Sequence, residues 1–439
     1  MRIAFLCKRR YMDKDVILDR YARLYEMPFQ LAARGHQVLG LCLSYHGDAE
    51  GEWTHDTPAG SLRWMSRSLG PGLLPRLLGH PAWLMRALRD FDAQLVIGAS
   101  DIAHVALGAH CARRLGLPFT ADLYDNFESF GMARIPGARL ALRRAVRGAD
   151  LVSCTSQALA DYVRERYGAR GRVMTLPSTV DLQRFRPGDR AAAREALGLP
   201  RDALLVGTAG GLYADKGITT LYRGFEALAA RDPRVHLVLA GPADAQAPPP
   251  SGPRVHYLGR LEHVRVAQLF AALDLGVIYL RDTPFGRYCF PQKAYEMAAC
   301  GLPFVAADVG AMRGLLADSP GHLYAPDDAA SLAATLAAAL RDPGAPPVVP
   351  KDWRELMAGF ETDQASTGWA LPSGCETSNF VVCPMGMTAP CGQIPAHDAF
   401  YGKPGEVFLI YLADDGHIME GFRIEKIAEP RTLAALTAQ

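Results

Sequence analysis

The chain has 439 residues, 21% of them charged, and a formal net charge of +1 at pH 7. This length exceeds one ordinary hydrophobic core, so we expect two or three domains. The balanced charge provides no field that would attract a nucleic acid, and we predict that none is bound.

Three further features favour a reducing cytoplasm. No stretch approaches the roughly 20 apolar residues of a membrane helix. The N-terminal apolar run precedes its basic residues, the reverse of a signal peptide. The nine cysteines are scattered, odd in number and contain no C-x-x-C pair.

Short apolar segments alternate with helical patterns over residues 1–179, which we predict to be the first domain. Its strands are predicted at residues 2–7, 37–43, 94–98, 118–122, 151–155 and 172–176. Helices are predicted at 19–34 and 102–115, each followed by the glycine that commonly ends a helix. This alternation is typical of a parallel, doubly wound sheet.

A more polar segment, 180–200, is predicted to connect two domains and to hold a short helix at 190–197. The alternation resumes over 201–345. Strands are predicted there at 204–208, 236–240, 255–258, 275–279 and 304–307, and helices at 217–230, 265–272, 291–299 and 329–340. The expected fold class is α/β, with two Rossmann-like domains facing a cleft at their strand ends.

The remaining residues, 346–439, do not follow this rhythm. A helix is predicted at 352–361, a loop-like stretch at 362–404, and a β-hairpin with strands 406–413 and 417–427. Three cysteines and a histidine in this tail are seven or so residues apart, too far for a typical zinc site, and no metal is expected. These four residues are Cys375, Cys383, Cys391 and His397.

Glu296 is the single charged residue between Ala294 and Ala307. A charge in such surroundings is costly unless it is paired or binds something. Pro291 suits a helix start, where free backbone donors stabilise an anion, and Lys293 shares a helix face with Glu296. The segment therefore suggests a site for a phosphate and a sugar hydroxyl, the alternative being a structural helix with a tolerated glutamate.

Four segments of the second domain, taken together, resemble the donor-binding half of family-4 glycosyltransferases of the GT-B fold. They are VGTAGGLYADKG at 206–217, VHYLGRL at 255–261, LDLGVIYL at 273–280 and YEMAACGLPFVAADVGAMRGLL at 295–316. The first domain carries a weaker likeness at 20–38 and 176–187. The resemblance implies a GT-B fold and retaining, metal-independent transfer from a nucleotide sugar, with no cofactor.

The resemblance assigns donor-binding roles by position. Glu296 matches the family's second motif glutamate, which binds the nucleotide ribose, and Lys216 matches the lysine on the donor diphosphate. Two positions depart: Tyr288 stands where the first motif glutamate is expected, and Gly211 where the family has arginine.

A subset of the family lacks the first glutamate and shows a P.K..E pattern, which Pro291, Lys293 and Glu296 match. We hypothesise that Lys293 partly replaces the missing arginine charge. Gly211 and Pro291 are thus included in the predicted donor site.

The acceptor side offers two candidate catalytic residues. Asp125 follows a strand near the cleft, and Tyr124 stands where the family has histidine. His104 is the second candidate, although a histidine at a helix start is commonly a cap or a packed core residue. Retaining enzymes of this class are thought to react on the front face, so we nominate no carboxylate nucleophile.

The predicted function is transfer of a sugar, with retention, from a nucleotide-diphosphate sugar to a glycan or lipid-linked acceptor in polysaccharide or cell-envelope biosynthesis. Two arginine-rich segments, 64–89 and 134–147, suggest peripheral contact with the inner face of a membrane, or solvated helix faces. The alternatives are a non-catalytic GT-B scaffold that binds glycan or nucleotide, and a sugar-nucleotide epimerase or hydrolase.

Overall fold

The computed structural model describes residues 1–12, 14–70 and 73–365, and three strands nearer the C-terminus. The first sheet has eight strands in the order β10-β9-β8-β7-β1-β4-β6-β5. All neighbours are parallel except β5, which pairs antiparallel with β6. The strands are β1 (Arg2–Lys8), β2 (Arg10–Tyr11), β3 (Lys14–Asp15), β4 (Gln37–Ser44), β5 (Gly51–His55), β6 (Ser61–Ser68), β7 (Leu95–Gly98), β8 (Phe119–Leu123), β9 (Leu151–Cys154) and β10 (Arg172–Thr175), with β2 and β3 forming a separate ribbon.

Helices cover both faces of this sheet. They are α1 (Ala22–Ala33), α2 (Leu73–Asp90), α3 (Ile102–Leu115), α4 (Ala138–Arg147) and α5 (Gln157–Tyr162). Leu24 of α1 is buried in the core of one face, and Val105 of α3 and Leu142 of α4 in the core of the other. Asp101 caps α3 by accepting from the His104 N–H, and Gly116 ends it with φ 67°.

The second sheet has six parallel strands in the order β13-β12-β11-β14-β15-β16. This order reverses between β11 and β14, where doubly wound sheets open a binding crevice. The elements are α6 (Arg190–Ala196), β11 (Leu204–Ala209), α7 (Ile218–Ala229), β12 (Val235–Ala240), β13 (Val255–Tyr257), α8 (His263–Ala272), β14 (Leu275–Ile278), α9 (Pro284–Tyr288), α10 (Lys293–Ala299), β15 (Phe304–Ala307), α11 (Ala311–Leu315), β16 (Leu323–Tyr324) and α12 (Ala329–Arg341).

A final helix, α13 (Trp353–Ala365), returns to the first sheet. Trp353, Met357 and Phe360 are buried in the same core as Leu24 of α1. The Glu361 carboxylate lies 2.8 Å from Nε2 of His36, which precedes β4. The helix predicted at 352–361 is confirmed and is four residues longer at its C-terminal end.

The two predicted doubly wound sheets are confirmed, but the sequence prediction missed the outer strands β5 and β6. The segment 64–89 is not one amphipathic helix, because its first residues complete β6. Trp64 is fully buried there, with its side chain packed over Gly40 of the neighbouring strand β4. Helix α1 also begins at Ala22 rather than at residue 19.

Residues 370–439 form a separate compact unit. Its described part is an antiparallel sheet of β17 (Phe380–Pro384), β18 (Val407–Leu412) and β19 (Ile418–Ile424). The predicted hairpin is confirmed as β18 and β19, whereas the loop predicted for 362–404 contains the end of α13 and the strand β17. Cys375, Cys391, His397 and the Cys383 side chain lie outside what the structure describes.

Candidate functional site

At the carboxyl end of β11 the backbone carries no side chain, because the next residue is Gly210, which has φ 125°. A Cβ at Gly210 would lie 3.2 Å from the Lys293 Nζ, so this amine sits directly against the glycine. Gly241, which follows β12 with φ 129°, approaches Gly210 so closely that a Cβ there would fall 1.9 Å from the Gly210 carbonyl oxygen. Both positions favour glycine because of their φ, and at Gly241 a side chain is also excluded by space.

Lys293, at the start of α10, is enclosed by this glycine turn and by Tyr279. Its Nζ lies 4.9 Å from the centroid of the Tyr279 ring, and the Tyr279 hydroxyl donates to the Gly211 carbonyl at 2.7 Å. Burial lowers the pKa of Lys293 to about 8, and the positive charge of Lys216 acts in the same direction. Gly211 therefore contributes its backbone carbonyl to the surroundings of Lys293 by holding Tyr279 in place.

Lys216 ends a short turn, Ala214–Lys216, that precedes α7. Its Nζ lies 5.2 Å from the Tyr213 ring centroid and 5.3 Å from that of Phe285. Within residues 1–365 as described, neither Lys216 nor Lys293 has a carboxylate within ion-pair distance. The Glu296 charge offsets part of that of Lys293, but two ammonium groups near each other and outside any ion pair still make a favourable place for an anion.

Glu296 lies one turn further along α10, with 13% of its side chain exposed. Its Oε1 accepts from the Gln292 amide at 3.2 Å and lies 3.8 Å from Nε2 of His263. Burial, and to a smaller extent the Glu296 charge, raise the pKa of Tyr21 to about 12. Tyr21 precedes α1, so the Glu296 carboxyl lies at the boundary between the two halves.

Pro291 precedes α10 but is not its first residue. The helix begins at Lys293 and has seven residues, two fewer than predicted. The N–H groups of Ala294 and Tyr295 donate back to the carbonyls of Pro291 and Gln292, at 2.9 and 3.0 Å. These two donors are therefore used within the turn, and the ammonium of Lys293 supplies the positive charge at this helix end.

Asp125 follows β8 and faces the second sheet across the cleft. Burial raises its pKa to about 6, although the Asn126 N–H at 2.8 Å and the charges of Lys216 and Lys8 act the other way. Lys216 belongs to the second half, so the structure brings Asp125 together with the predicted donor residues. Asp125 also helps to raise the pKa of Cys289, the residue after α9, although burial contributes more.

His104 is placed differently from the other candidates. Only 2% of it is exposed, and its Nδ1 lies 2.8 Å from the Asp101 carboxylate that caps α3. Its Nε2 has no hydrogen-bond partner in the described part of the chain. It sits in the packed helix layer and does not line the neighbouring cavity, as the alternative interpretation of a packed histidine expects.

That cavity, of about 280 Å³, opens at the carboxyl ends of β1, β7 and β8. Its lining is mixed: it includes the charged residues Lys8, Arg10 and Asp101, the aromatic residues Tyr124 and Phe127, and also Ile102, Phe130 and Met132. The Tyr124 hydroxyl donates to the Ser100 carbonyl at 2.8 Å. The sequence prediction missed Lys8, whose signal was its position directly at the end of β1.

Tyr288, where the first motif glutamate was expected, contacts the first half. Its ring centroid lies 4.7 Å from that of Tyr162, and its carbonyl accepts from the Ser156 hydroxyl at 2.8 Å. The position therefore joins the two halves instead of offering a carboxylate to the cleft.

Two family models match the chain: "Glycosyltransferase Family 4" over residues 23–184 and "Glycosyl transferases group 1" over residues 203–342. D-inositol 3-phosphate glycosyltransferase 1 of Catenulispora acidiphila is 32% identical over 393 residues, which cover 82% of this chain and 85% of that protein. A D-inositol 3-phosphate glycosyltransferase of Frankia alni is 31% identical over 322 residues, which cover 66% of this chain and 77% of that one.

Two solved structures share the fold at low identity. Sucrose-phosphate synthase of Thermosynechococcus elongatus has a TM-score of 0.60 at 21% identity and covers 84% of this chain and 97% of that one. Anabaena HepE in complex with UDP and glucose has a TM-score of 0.59 at 20% identity, with 84% and 99% covered.

These matches define a two-domain glycosyltransferase of the GT-B fold. The chain belongs to glycosyltransferase family 4, as its motifs predicted. The roles assigned to its individual site residues stay predictions. No helix in the described part of the chain is long and apolar enough to cross a membrane.

Proposed function

We propose that this glycosyltransferase moves a sugar, with retention, from a nucleotide-diphosphate sugar to a glycan or lipid-linked acceptor at the cytoplasmic face of the membrane. One observation carries the proposal: the ammonium groups of Lys216 and Lys293 lie close enough to affect each other at the end of the second sheet, and neither forms an ion pair with a described residue. Such a pair of cations fits a diphosphate best. The nearby Glu296 carboxylate can accept hydrogen bonds from the hydroxyls of a ribose attached to that diphosphate.

In the proposed donor site, Glu296 accepts hydrogen bonds from the ribose hydroxyls, and Lys216 and Lys293 neutralise the diphosphate. The glycine turn at Gly210 and Gly211 lets the phosphates approach the backbone. Anabaena HepE, which shares the fold, has been solved with UDP and with UDP-glucose. No metal or cofactor is needed in this scheme, because the two lysines supply the positive charge.

Asp125 is the proposed catalytic residue on the acceptor side. With a pKa of about 6 it is mostly ionised at neutral pH and accepts a hydrogen bond from the attacking hydroxyl. The donor phosphate helps to remove that proton on the same face, and retention follows without a covalent intermediate. The protein then acts chiefly by positioning both substrates and stabilising the diphosphate that leaves.

The names of the relatives and the lining of one cavity bear on the acceptor and the pathway. Relatives are named for transfer to D-inositol 3-phosphate, a phosphorylated polyol. In this chain the cavity lined by Tyr124, the residue before Asp125, has both cationic and aromatic residues in its lining, which suits a polar acceptor attached to an apolar group. We therefore favour polysaccharide or cell-envelope glycan assembly. The six described cysteines are unpaired and buried, in keeping with a cytoplasmic location.

A panel of nucleotide sugars, with acceptor extracts and with purified glycans, tests the proposal. We expect one donor to be consumed with a glycosylated product whose anomeric configuration matches the donor, as read by proton NMR. The double variant Lys216→Ala/Lys293→Ala should lose turnover. The matched control, Lys351→Ala, changes an exposed lysine paired with Glu355 and should keep turnover.

The same experiment separates the alternatives. Release of nucleotide without transfer would indicate a hydrolase or epimerase. Donor binding without any turnover would indicate a scaffold, an alternative suggested by the unusual Tyr288 and Gly211.

A further inference from the structure

One apolar residue of the cavity lining, Phe130, reaches the protein surface. Phe130 and Met132 lie in the turn that follows Phe127, and Phe130 both lines the cavity and is 45% exposed. The chain then leads through Arg134 into α4, whose inner residues Leu142 and Val146 are buried in the core. The outer side of this segment is therefore not needed for packing.

Two large apolar side chains stand on that outer side. Ile135 is 58% exposed and Leu140 is 52% exposed, so neither gains much from the fold. Phe130, which lines the cavity, is a third exposed apolar side chain in the same short segment of the chain. Exposed apolar residues that cluster in this way commonly mark a binding surface.

These apolar residues lie in a segment rich in arginines, most of which form no ion pair with a described residue. Residues 130–147 contain five arginines and no aspartate or glutamate. Arg143 bonds Glu128 at 2.8 Å, but Arg134, Arg139 and Arg144 are exposed and form no ion pair with any described residue. We call Phe130, Ile135 and Leu140 with these three arginines the α4 surface.

Helix α2 adds a second apolar pair near the same edge. Leu77 and Leu78 are 46% and 78% exposed, in the first two turns of that helix. Helices α2 and α4 both pack against α3, so the three form one layer. Each helix enters from the carboxyl edge of the parallel sheet, as crossover connections do, so their first turns lie at the edge where the cavity opens.

We propose that the α4 surface docks on a bilayer of anionic lipid, and that the acceptor is an amphiphile of that bilayer whose polar head enters the cavity. Exposed apolar side chains enter the headgroup region, and unpaired arginines are attracted to anionic lipid. A nucleic acid would use the arginines but not Ile135 and Leu140. The identity of the acceptor rests on the proposed function, whereas docking itself does not.

Co-sedimentation of the full chain with vesicles measures the docking without donor or acceptor. We expect binding to vesicles of pure phosphatidylglycerol, little binding to pure phosphatidylcholine, and weaker binding as salt screens the charges. Absence of binding to phosphatidylglycerol would overturn the proposal, as would equal binding to both lipids.

Two double variants locate the surface. Arg139→Glu/Arg144→Glu should weaken phosphatidylglycerol binding at least about tenfold, since each cation near an anionic surface contributes appreciably. Ile135→Asp/Leu140→Asp should weaken it similarly. The matched controls are Arg223→Glu/Arg231→Glu, which changes two exposed arginines of the second half, and Val349→Asp, which changes an 88% exposed valine.

The controls should bind vesicles as the unchanged protein does. If the controls weaken binding as much as the α4 variants, the α4 surface is not the docking site. Binding to duplex DNA that matches vesicle binding and survives Ile135→Asp/Leu140→Asp would also overturn the proposal. Circular dichroism and UDP binding, read on every variant, show that a loss of docking is not a loss of fold.

Failure of this inference is distinguishable from failure of the proposed function. A chain that docks on vesicles but transfers no sugar contradicts the function alone. A chain that glycosylates a water-soluble acceptor but does not dock on vesicles contradicts the proposed docking and the proposed amphiphilic acceptor, and it leaves the proposed sugar transfer intact.

Discussion

The ring of Tyr288 packs against the ring of Tyr162 with centroids 4.7 Å apart, and this contact joins the two halves of the enzyme. Tyr288 stands where the motif predicts a glutamate, and its ring also packs on the core of the first half. At this position the chain therefore has a ring contact between the two halves and no carboxylate.

This ring contact should be measurable as a coupling between the halves. Tyr288→Leu and Tyr162→Leu should each destabilise the chain, and the double variant should cost less than their sum by about 1 kcal/mol. Urea unfolding followed by circular dichroism gives the three values. Additive costs would show that the two rings do not interact energetically.

Removal of either cleft lysine should weaken nucleotide binding. We expect Lys293→Ala and Lys216→Ala each to weaken UDP binding by about 10- to 100-fold, since a charge-assisted hydrogen bond is lost in each case. Isothermal titration calorimetry measures this, with Lys351→Ala as the matched control. If Lys293→Ala left affinity and turnover unchanged while Lys216→Ala abolished both, Lys293 would not replace the missing arginine.

The lowered pKa of Lys293 predicts a pH dependence of donor binding. Its folded-state pKa of about 8 lies below the usual 10.5, so the ammonium is lost as pH rises through 8. UDP affinity should therefore fall about tenfold between neutral pH and ~pH 9. Lys293→Arg keeps its charge over this range, and calorimetric titrations of that variant should show a flatter profile. Equal profiles would contradict the role of this amine.

Asp125→Asn should raise stability while lowering activity. The folded-state pKa of Asp125, about 6, is raised above 3.8, so the folded state binds more protons between these values. Stability is lost as pH rises through this window, by up to about 3 kcal/mol at neutral pH.

Asparagine removes that cost, so the melting temperature should rise at neutral pH and hardly change below about pH 4. Turnover should fall, because the hydrogen-bond acceptor for the attacking hydroxyl loses its charge. Thermal scans at several pH values and initial rates measure the two effects. A variant that melts lower at neutral pH would contradict the pKa assignment.

Asp122 should be among the most sensitive positions for stability. It is fully buried, accepts from Arg23 at 2.5 and 2.9 Å and from the Ser153 hydroxyl at 2.7 Å, and so ties α1 to β8 and β9. Asp122→Asn should cost about 3–5 kcal/mol, because Arg23 is left as an unpaired buried charge. Glu195→Gln, which breaks the exposed pair with Arg201, should have little effect on urea unfolding.

Much of the fold was predictable from local pattern. Strand and helix periods, together with glycines such as Gly116 that end helices, are local signals, and they predicted two doubly wound sheets. The motif around Glu296 predicted the family because it, too, is a local pattern of residues at fixed spacing. The strands β5 and β6 were missed because Trp64 and the arginines beside it form an amphipathic pattern whose buried side depends on the packing of α1 and β4.

Sequence alone therefore determined the fold class and the family, and it predicted Lys216, Lys293 and Glu296 as donor-site residues. Only the tertiary structure decided what those residues face: that Asp125 lies across from Lys216, that His104 is packed within its helix layer, and that Tyr288 joins the halves. Two of these relations, Asp125 with Lys216 and Tyr288 with Tyr162, join residues more than 80 positions apart. Burial and charge proximity are properties of such distant contacts, and no local pattern encodes them.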